Sequence, residues 1–282
     1  VLIKDSYNVL MHNVGVFNHG ICFEASSEMV YGIHLAADML STGGCSDAHF
    51  VVNSWPEVFV TNSRFGINGT GDYAANAYIR ITGTCDPVNA AGLGANTVYF
   101  TNNQFNQGQN LVGAFLEWKN ITPNTCPSNE VISEYVFTGN HIEGPNFGIR
   151  TDATATQISR IKFIGNYFLP GPGSGSEFWS FGVATRITDF SFIGNTTLYS
   201  TFTFAPGAQI ISAQISNNTF KNGGARYTGT GTGNAMISSA NVYNGTVSIT
   251  GTWATASFSG IVLTGTAPTN STGNPRITFP GP

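Results

Sequence analysis

Charge is what this sequence has least of. Asp, Glu, Lys and Arg make up only 9% of its 282 residues, against roughly 25% in an average globular protein. Eleven basic side chains against fifteen acidic ones leave a net charge of −4. Holding nucleic acid requires a basic face that neutralises phosphates, so nucleic acid is not an expected partner. Long apolar runs are missing too. None reaches the roughly 18 residues of a membrane helix, and membrane insertion is not expected. His12, His19, His34, His49 and His141 show no metal-ligand spacing, so neither a metal nor another cofactor is expected. Cysteine is scarce. Cys85 and Cys126 lie in polar, Pro-bearing loops after equivalent strands. Stacking would bring them together, and both a disulfide and a pair of reduced thiols stay open. Cys22, in "GICFE", reads as a strand residue and Cys45 as a loop residue.

What the chain does contain is one phrase, written again and again. "VFVTNSRF" begins at 58, "VYFTNNQF" at 98, "YVFTGNHI" at 135, "IKFIGNYF" at 161 and "AQISNNTF" at 213, with looser copies at 9, 190 and 247. Alternating apolar positions mark a strand with one buried face. The Gly-Asn or Asn-Asn that follows suits a tight turn, because both residues tolerate left-handed backbone. One last apolar residue (Phe65, Phe105, Ile142, Phe168 or Phe220) then re-enters the core. The copies are spaced by as few as 23 and as many as 40 residues. Helical repeats of fixed length do not tolerate that scatter. A right-handed parallel β-helix does, because its coils keep their strands and vary their loops.

The fold class is therefore all-β: a parallel β-helix of three-strand coils with roughly eight or more rungs. A second strand family, "AYIRI" 77–81, "AFLEWK" 114–119, "FGIRTD" 147–152 and "FGVATR" 181–186, supplies another side of the coil. Short strands before the phrase, such as "QISR" 157–160 and "RITD" 186–189, supply the third. Asn103, Asn140, Asn166, Asn195 and Asn218 should stack as an amide ladder, scaffold rather than catalyst. "HLAADML", residues 34–40, fits the register poorly and reads as one or two helical turns in an insertion. Residues 1–223 form the body. Residues 224–282, Gly/Thr-rich, form a β-rich section that caps the open end of the stack.

The coil pattern, apolar-x-apolar-x-[Gly/Asn]-Asn-x-apolar, resembles the pectin-lyase-like right-handed parallel β-helix superfamily over roughly residues 1–220. With its low charge and Gly/Thr-rich end, the chain looks most like the β-helix body of a bacteriophage tailspike. That resemblance implies a virion tail or extracellular location and a bacterial surface polysaccharide as partner. It also implies either a glycosidase or lyase that depolymerises this polysaccharide, or a non-catalytic receptor-binding or structural fibre. A homotrimer is expected from an uncharged, partly apolar lateral face, and a preceding segment is expected to attach the body to a larger assembly. The Asp and His signatures of polygalacturonases and the calcium-binding Asp cluster of pectate lyases are missing. No catalytic residue carries over from either.

Candidate site residues come instead from the second strand family. With Ile79, Leu116, Ile149 and Val183 inward, their neighbours form outward columns. Tyr78 and Phe115, followed by Gly148 and Gly182, would make an aromatic platform for sugar C–H faces. Arg80, Lys119, Arg150 and Arg186 would make a locally positive patch suited to an anionic polysaccharide. Glu117 and Asp152, with Cα atoms roughly 8 Å apart, would be the catalytic carboxylates, in a spacing that suits inversion. The competing reading is structural: Glu117 between Arg80 and Arg150, and Asp152 between Lys119 and Arg186, as rungs of a cross-strand charge ladder. Glu143 reads as a loop acid near the same groove.

Overall fold

The computed structural model of the chain describes residues 1–4, 6–26, 34–53, 57–66, 75–84, 97–106, 112–122, 134–151, 157–158, 160–171, 178–180, 186–187, 189–199, 201–204, 212–221, 224–229, 235–244, 247–251, 255–259, 262–263 and 275–277. Strands stack in parallel into three long sheets, making a right-handed parallel β-helix. Among the described residues sheet I has 11 strands, from Val9–His12 to Pro275–Ile277, and includes every copy of the phrase except the loose one at 247, which lies in another sheet. Sheet II, 10 strands, carries the short segments after each turn, such as Arg64–Phe65 and His141–Glu143. Sheet III, 7 strands, runs from Leu2–Lys4 through Ala77–Thr84, Val112–Thr122 and Pro145–Thr151 to Trp179–Ser180. A three-stranded sheet of Thr201–Phe204, Gly224–Gly229 and Val247–Gly251 follows it in chain order. No helix among the described residues is long and apolar enough to cross a membrane.

The phrase sets register as its pattern requires. Val58, Val98, Tyr135, Ile161 and Phe190 stack in one inward column, and Val60, Phe100, Phe137, Phe163 and Phe192 in the next. None of them is more than 5% exposed. Phenyl rings run on from coil to coil, with Phe137 and Phe163 stacked at 5.0 Å and Phe163 meeting Phe168 edge-on at 5.8 Å. Each fully buried ring contributes about 1.5–3 kcal/mol of transfer free energy, so the core is an aromatic column rather than an aliphatic one.

The turn between sheets I and II explains the Asn. Its first residue takes left-handed backbone, with φ of 48° at Asn62, 55° at Asn102, 63° at Gly139 and 56° at Asn217. Its second residue forms the ladder. The backbone N–H and Nδ2 of Asn103 both donate to Oδ1 of Asn140, and the same step recurs at Asn166, Asn195, Asn218 and Asn241, at 2.8–3.2 Å. The other Nδ2 hydrogen reaches back to a carbonyl of the preceding coil, Phe100 for Asn140 and Phe137 for Asn166. Buried amides stay this common only because each is saturated. The ladder starts with Ser63, whose N–H donates to Asn103, and reaches Asn241, one coil beyond the residues read from sequence. Strands beyond residue 224 add to sheets I and II without a break in either.

Two expectations are corrected, and one covalent link appears that the sequence did not indicate. "HLAADML" is not helical: His34–Asp38 is a sheet I strand between Val9–His12 and Glu57–Thr61. It is a diverged copy of the phrase, with Met39 in the left-handed position (φ 56°) and Leu40 at the ladder position. The sheet III strand after Pro145–Thr151 is Trp179–Ser180, with Trp179 opposite Ile149. It takes the place expected of residues 181–186, and Arg186 pairs instead with Gln157 in a separate two-stranded sheet. Val183 lies outside the described residues. The disulfide joins Cys22 to Cys45, with Cα atoms 5.8 Å apart, and staples two successive coils near the N-terminal end. Cys85 and Cys126 lie outside the described residues.

Candidate functional site

Sheet III supplies the first test of the expected site. Its pairing register skips one residue in each of these strands, Tyr78, Phe115 and Gly148, and in the first two strands that residue and the next are both buried. Ile79, Leu116 and Ile149 point inward as expected and are fully buried. Tyr78 and Phe115 do so as well. Tyr78 packs on Phe105 and donates its hydroxyl to the Glu143 carbonyl, while Phe115 packs on Phe105, Phe137 and Phe168. Both have 0% exposure, so neither offers a sugar a face to stack on. The hollow expected at Gly148 exists, but inside the helix, where the Phe178 ring fills it; an added Cβ would lie 2.3 Å from that ring.

One residue further on, alternation resumes and the charged row does face outward. Arg80 grips Asp47 with two bonds of 2.7 Å and donates Nε to Glu117 at 2.7 Å. Arg150 donates to the other oxygen of Glu117 at 2.5 and 3.0 Å, and to the Asn76 carbonyl. Asp47, Arg80, Glu117 and Arg150 thus form a continuous ion chain over four coils. The Glu117 side chain is only 7% exposed, so it reaches no substrate. Arg80 holds the Asp47 carboxyl down to about 2, against the opposing effect of burial, and its own guanidinium is raised by the two carboxylates despite desolvation. This is the charge-ladder geometry, and it consumes the positive patch. Lys119 is half-buried, Asp152 lies outside the described residues, and Arg186 belongs to the two-stranded sheet. The expected pairing of Glu117 with Asp152 therefore lies outside the described residues.

The outer face of sheet I holds a different group. Inward Leu35, Val58, Val98, Tyr135 and Ile161 leave their neighbours facing out. One outward row reads His34, Glu57, Thr97, Glu134, and the next Ala36, Phe59, Tyr99, Val136, Lys162. His34 Nδ1 pairs with Glu57 at 3.1 Å. The Tyr99 hydroxyl donates to Glu134 at 2.7 Å, and Lys162 forms an ion pair with the other oxygen of Glu134. The Lys162 hydrogen bond, then that of Tyr99, holds the Glu134 carboxyl below its ordinary value, and the same bond from Tyr99 to Glu134 raises the phenol. Phe59 and Tyr99 stack at 5.2 Å and 17°, with His34 against the far side of Phe59 at 5.1 Å. Rings stacked along the helix axis show solvent their edges, so they form a low apolar wall beside the polar row.

Sequence reasoning passed over this group because the phrase was aligned from its first inward residue. The polar residue just before it, Glu57, Thr97 or Glu134, was left out of the pattern. On sheet II, Glu143 ends a strand rather than sitting in a loop, and it pairs with His141 at 2.6 Å. No group of His, Cys, Asp or Glu among the described residues is arranged to hold a metal. The chain matches no known family, no curated protein and no solved structure.

Proposed function

We propose that this β-helix is the polysaccharide-binding body of a tailspike-like protein, displayed on a virion tail or otherwise outside the cell, that depolymerises a bacterial surface glycan. The observation that carries the reading is the outward row on sheet I. Glu57 and Glu134, held by His34 on one side and by Tyr99 and Lys162 on the other, flank the small Thr97 on rigid strands. Carboxylates fixed in this way accept hydrogen bonds from sugar hydroxyls, and the ring edges of Phe59 and Tyr99 meet the C–H groups. Arg80 and Arg150 are occupied by carboxylates, which favours a neutral glycan over the anionic one expected from sequence. The Cys22–Cys45 bridge supports an oxidising, extracellular setting.

Binding to panels of capsule, O-antigen and exopolysaccharide tests the reading. Thr97→Trp, which fills the space between the carboxylates, should abolish binding, while Glu143→Gln on sheet II should leave it intact. Unchanged binding by the Thr97 variant would overturn the reading. The second reading, a non-catalytic fibre that packs side by side with copies of itself, rests on Leu10, Ile164 and Ile237, exposed by 77%, 37% and 55% on this same face. It predicts that Thr97→Trp dissociates a trimer in sedimentation while no glycan binds either form.

A further inference from the structure

We propose that Glu57 and Glu134 are a hydrolytic pair that cleaves, with inversion, a glycosidic bond laid over Thr97 along the helix axis. The proposal rests on the glycan reading above and adds the chemistry and the orientation of the chain. Register places Glu57 opposite Thr97 and Thr97 opposite Glu134. Two steps of about 4.8 Å between strands separate their Cα atoms by about 9.6 Å. Both side chains leave the same face of the sheet, and this Cα spacing lies at the upper end of the roughly 6.5–9.5 Å between carboxyl groups of inverting glycosidases, well beyond the roughly 5 Å of retaining ones. The residue between them is the small Thr97, which leaves room for a sugar unit and a water molecule.

The surroundings of the two carboxylates differ, and that difference assigns the roles. Glu134 accepts a phenol and an ammonium, which keep it ionised, as a base must be. Among the described residues only His34 is bonded to Glu57, and its side chain is 51% exposed. It is the carboxyl open to the departing oxygen, the position of the acid. The reaction balances with water as the only co-reactant. Glu134 takes a proton from water as the water oxygen bonds to the anomeric carbon. The bond from that carbon to the bridging oxygen breaks on the opposite side, and Glu57 delivers its proton to the departing oxygen. The next turnover needs only a proton exchange with solvent. Because acid and base lie along one line with the broken bond, the polymer runs parallel to the axis and crosses the coils.

The test uses the whole chain and any glycan that it binds on the panels. Native protein should release reducing ends whose first-formed anomer, followed by NMR, has the opposite configuration to the bond cleaved. Glu57→Gln and Glu134→Gln should each lower the cleavage rate on saturating glycan at least 1,000-fold, on the order expected when an acid or base is lost, with melting temperature close to native. Glu143→Gln, on another face, should cleave as native. A retained anomer, unsaturated ends, cleavage surviving in both variants, or a glycan bound but never cut would each overturn this proposal while leaving the binding reading standing. Failure to bind any glycan would remove both.

Discussion

Replacing Glu117 by Gln keeps its shape and removes the only negative charge between Arg80 and Arg150. Breaking a buried pair from one side costs about 3 kcal/mol, and the cost here is smaller, because Arg80 keeps Asp47 and the Arg150 side chain is 30% exposed. Glu117→Gln should therefore unfold at lower temperature and still bind glycan, a result that calorimetry and the panels can read together. Asp47 gives the corresponding pH dependence. Its carboxyl sits at about 2 in the folded chain against 3.8 in the unfolded one. A depressed carboxyl contributes stability that is complete above the unfolded value and is lost as pH falls through the folded value. Stability should thus drop between about pH 4 and pH 2, and Asp47→Asn should flatten that drop in acid titrations followed by circular dichroism. In the ladder, Asn166→Ala would orphan the N–H and Nδ2 of Asn140 and the Phe137 carbonyl. At about 1–3 kcal/mol for each buried polar group left without a partner, this single truncation should destabilise more than most core Phe→Leu changes in denaturant melts.

At the scale of strands and turns, legibility followed the strength of local punctuation. The coils at Val58, Val98, Tyr135, Ile161 and Phe190 could be read because period-two burial and the Asn after it point to the same answer. His34–Asp38 could not, since Met39 and Leu40 replace that signature and leave an apolar run without a stop. Met39 pays for the replacement in left-handed backbone while 48% exposed. Met39→Asn should accordingly raise stability by up to about 1 kcal/mol, measurable as a shift in the urea midpoint. Tyr78 and Phe115 escape the pattern for another reason: strict alternation fails where the pairing register skips a residue, and no residue type announces the skip. The site was harder still. Whether a carboxylate is spent or free depends on which coil lies beside it, as Asp47 shows for Arg80, and neighbours in the stack are 23 or more residues apart in sequence. The Cys22–Cys45 pairing hid in the same way, one cysteine in a strand and the other in a loop.

On the scale of the whole molecule, the coils are secured unevenly along the stack. The disulfide closes a loop of 23 residues near the N-terminal end, a constraint worth about 3 kcal/mol in the chain-entropy picture. Reduction, or Cys22→Ser with Cys45→Ser, should make hydrogen exchange faster in the first two coils and leave the Phe137–Phe163 region as protected as before. The ladder has a directional property as well. From Asn103 to Asn218 the ladder amides Asn103, Asn140, Asn166, Asn195 and Asn218 each point one N–H toward the next coil, and the oxygens that accept these bonds, from Asn140 to Asn241, face the previous one. Each amide carries about 3.5 D, and aligned dipoles add instead of cancelling. A body with almost no net charge thereby acquires an electrical sense along its length, positive toward the Asn241 end and negative toward Ser63, so that two such columns lying side by side in the same direction oppose each other where columns joined end to end would not.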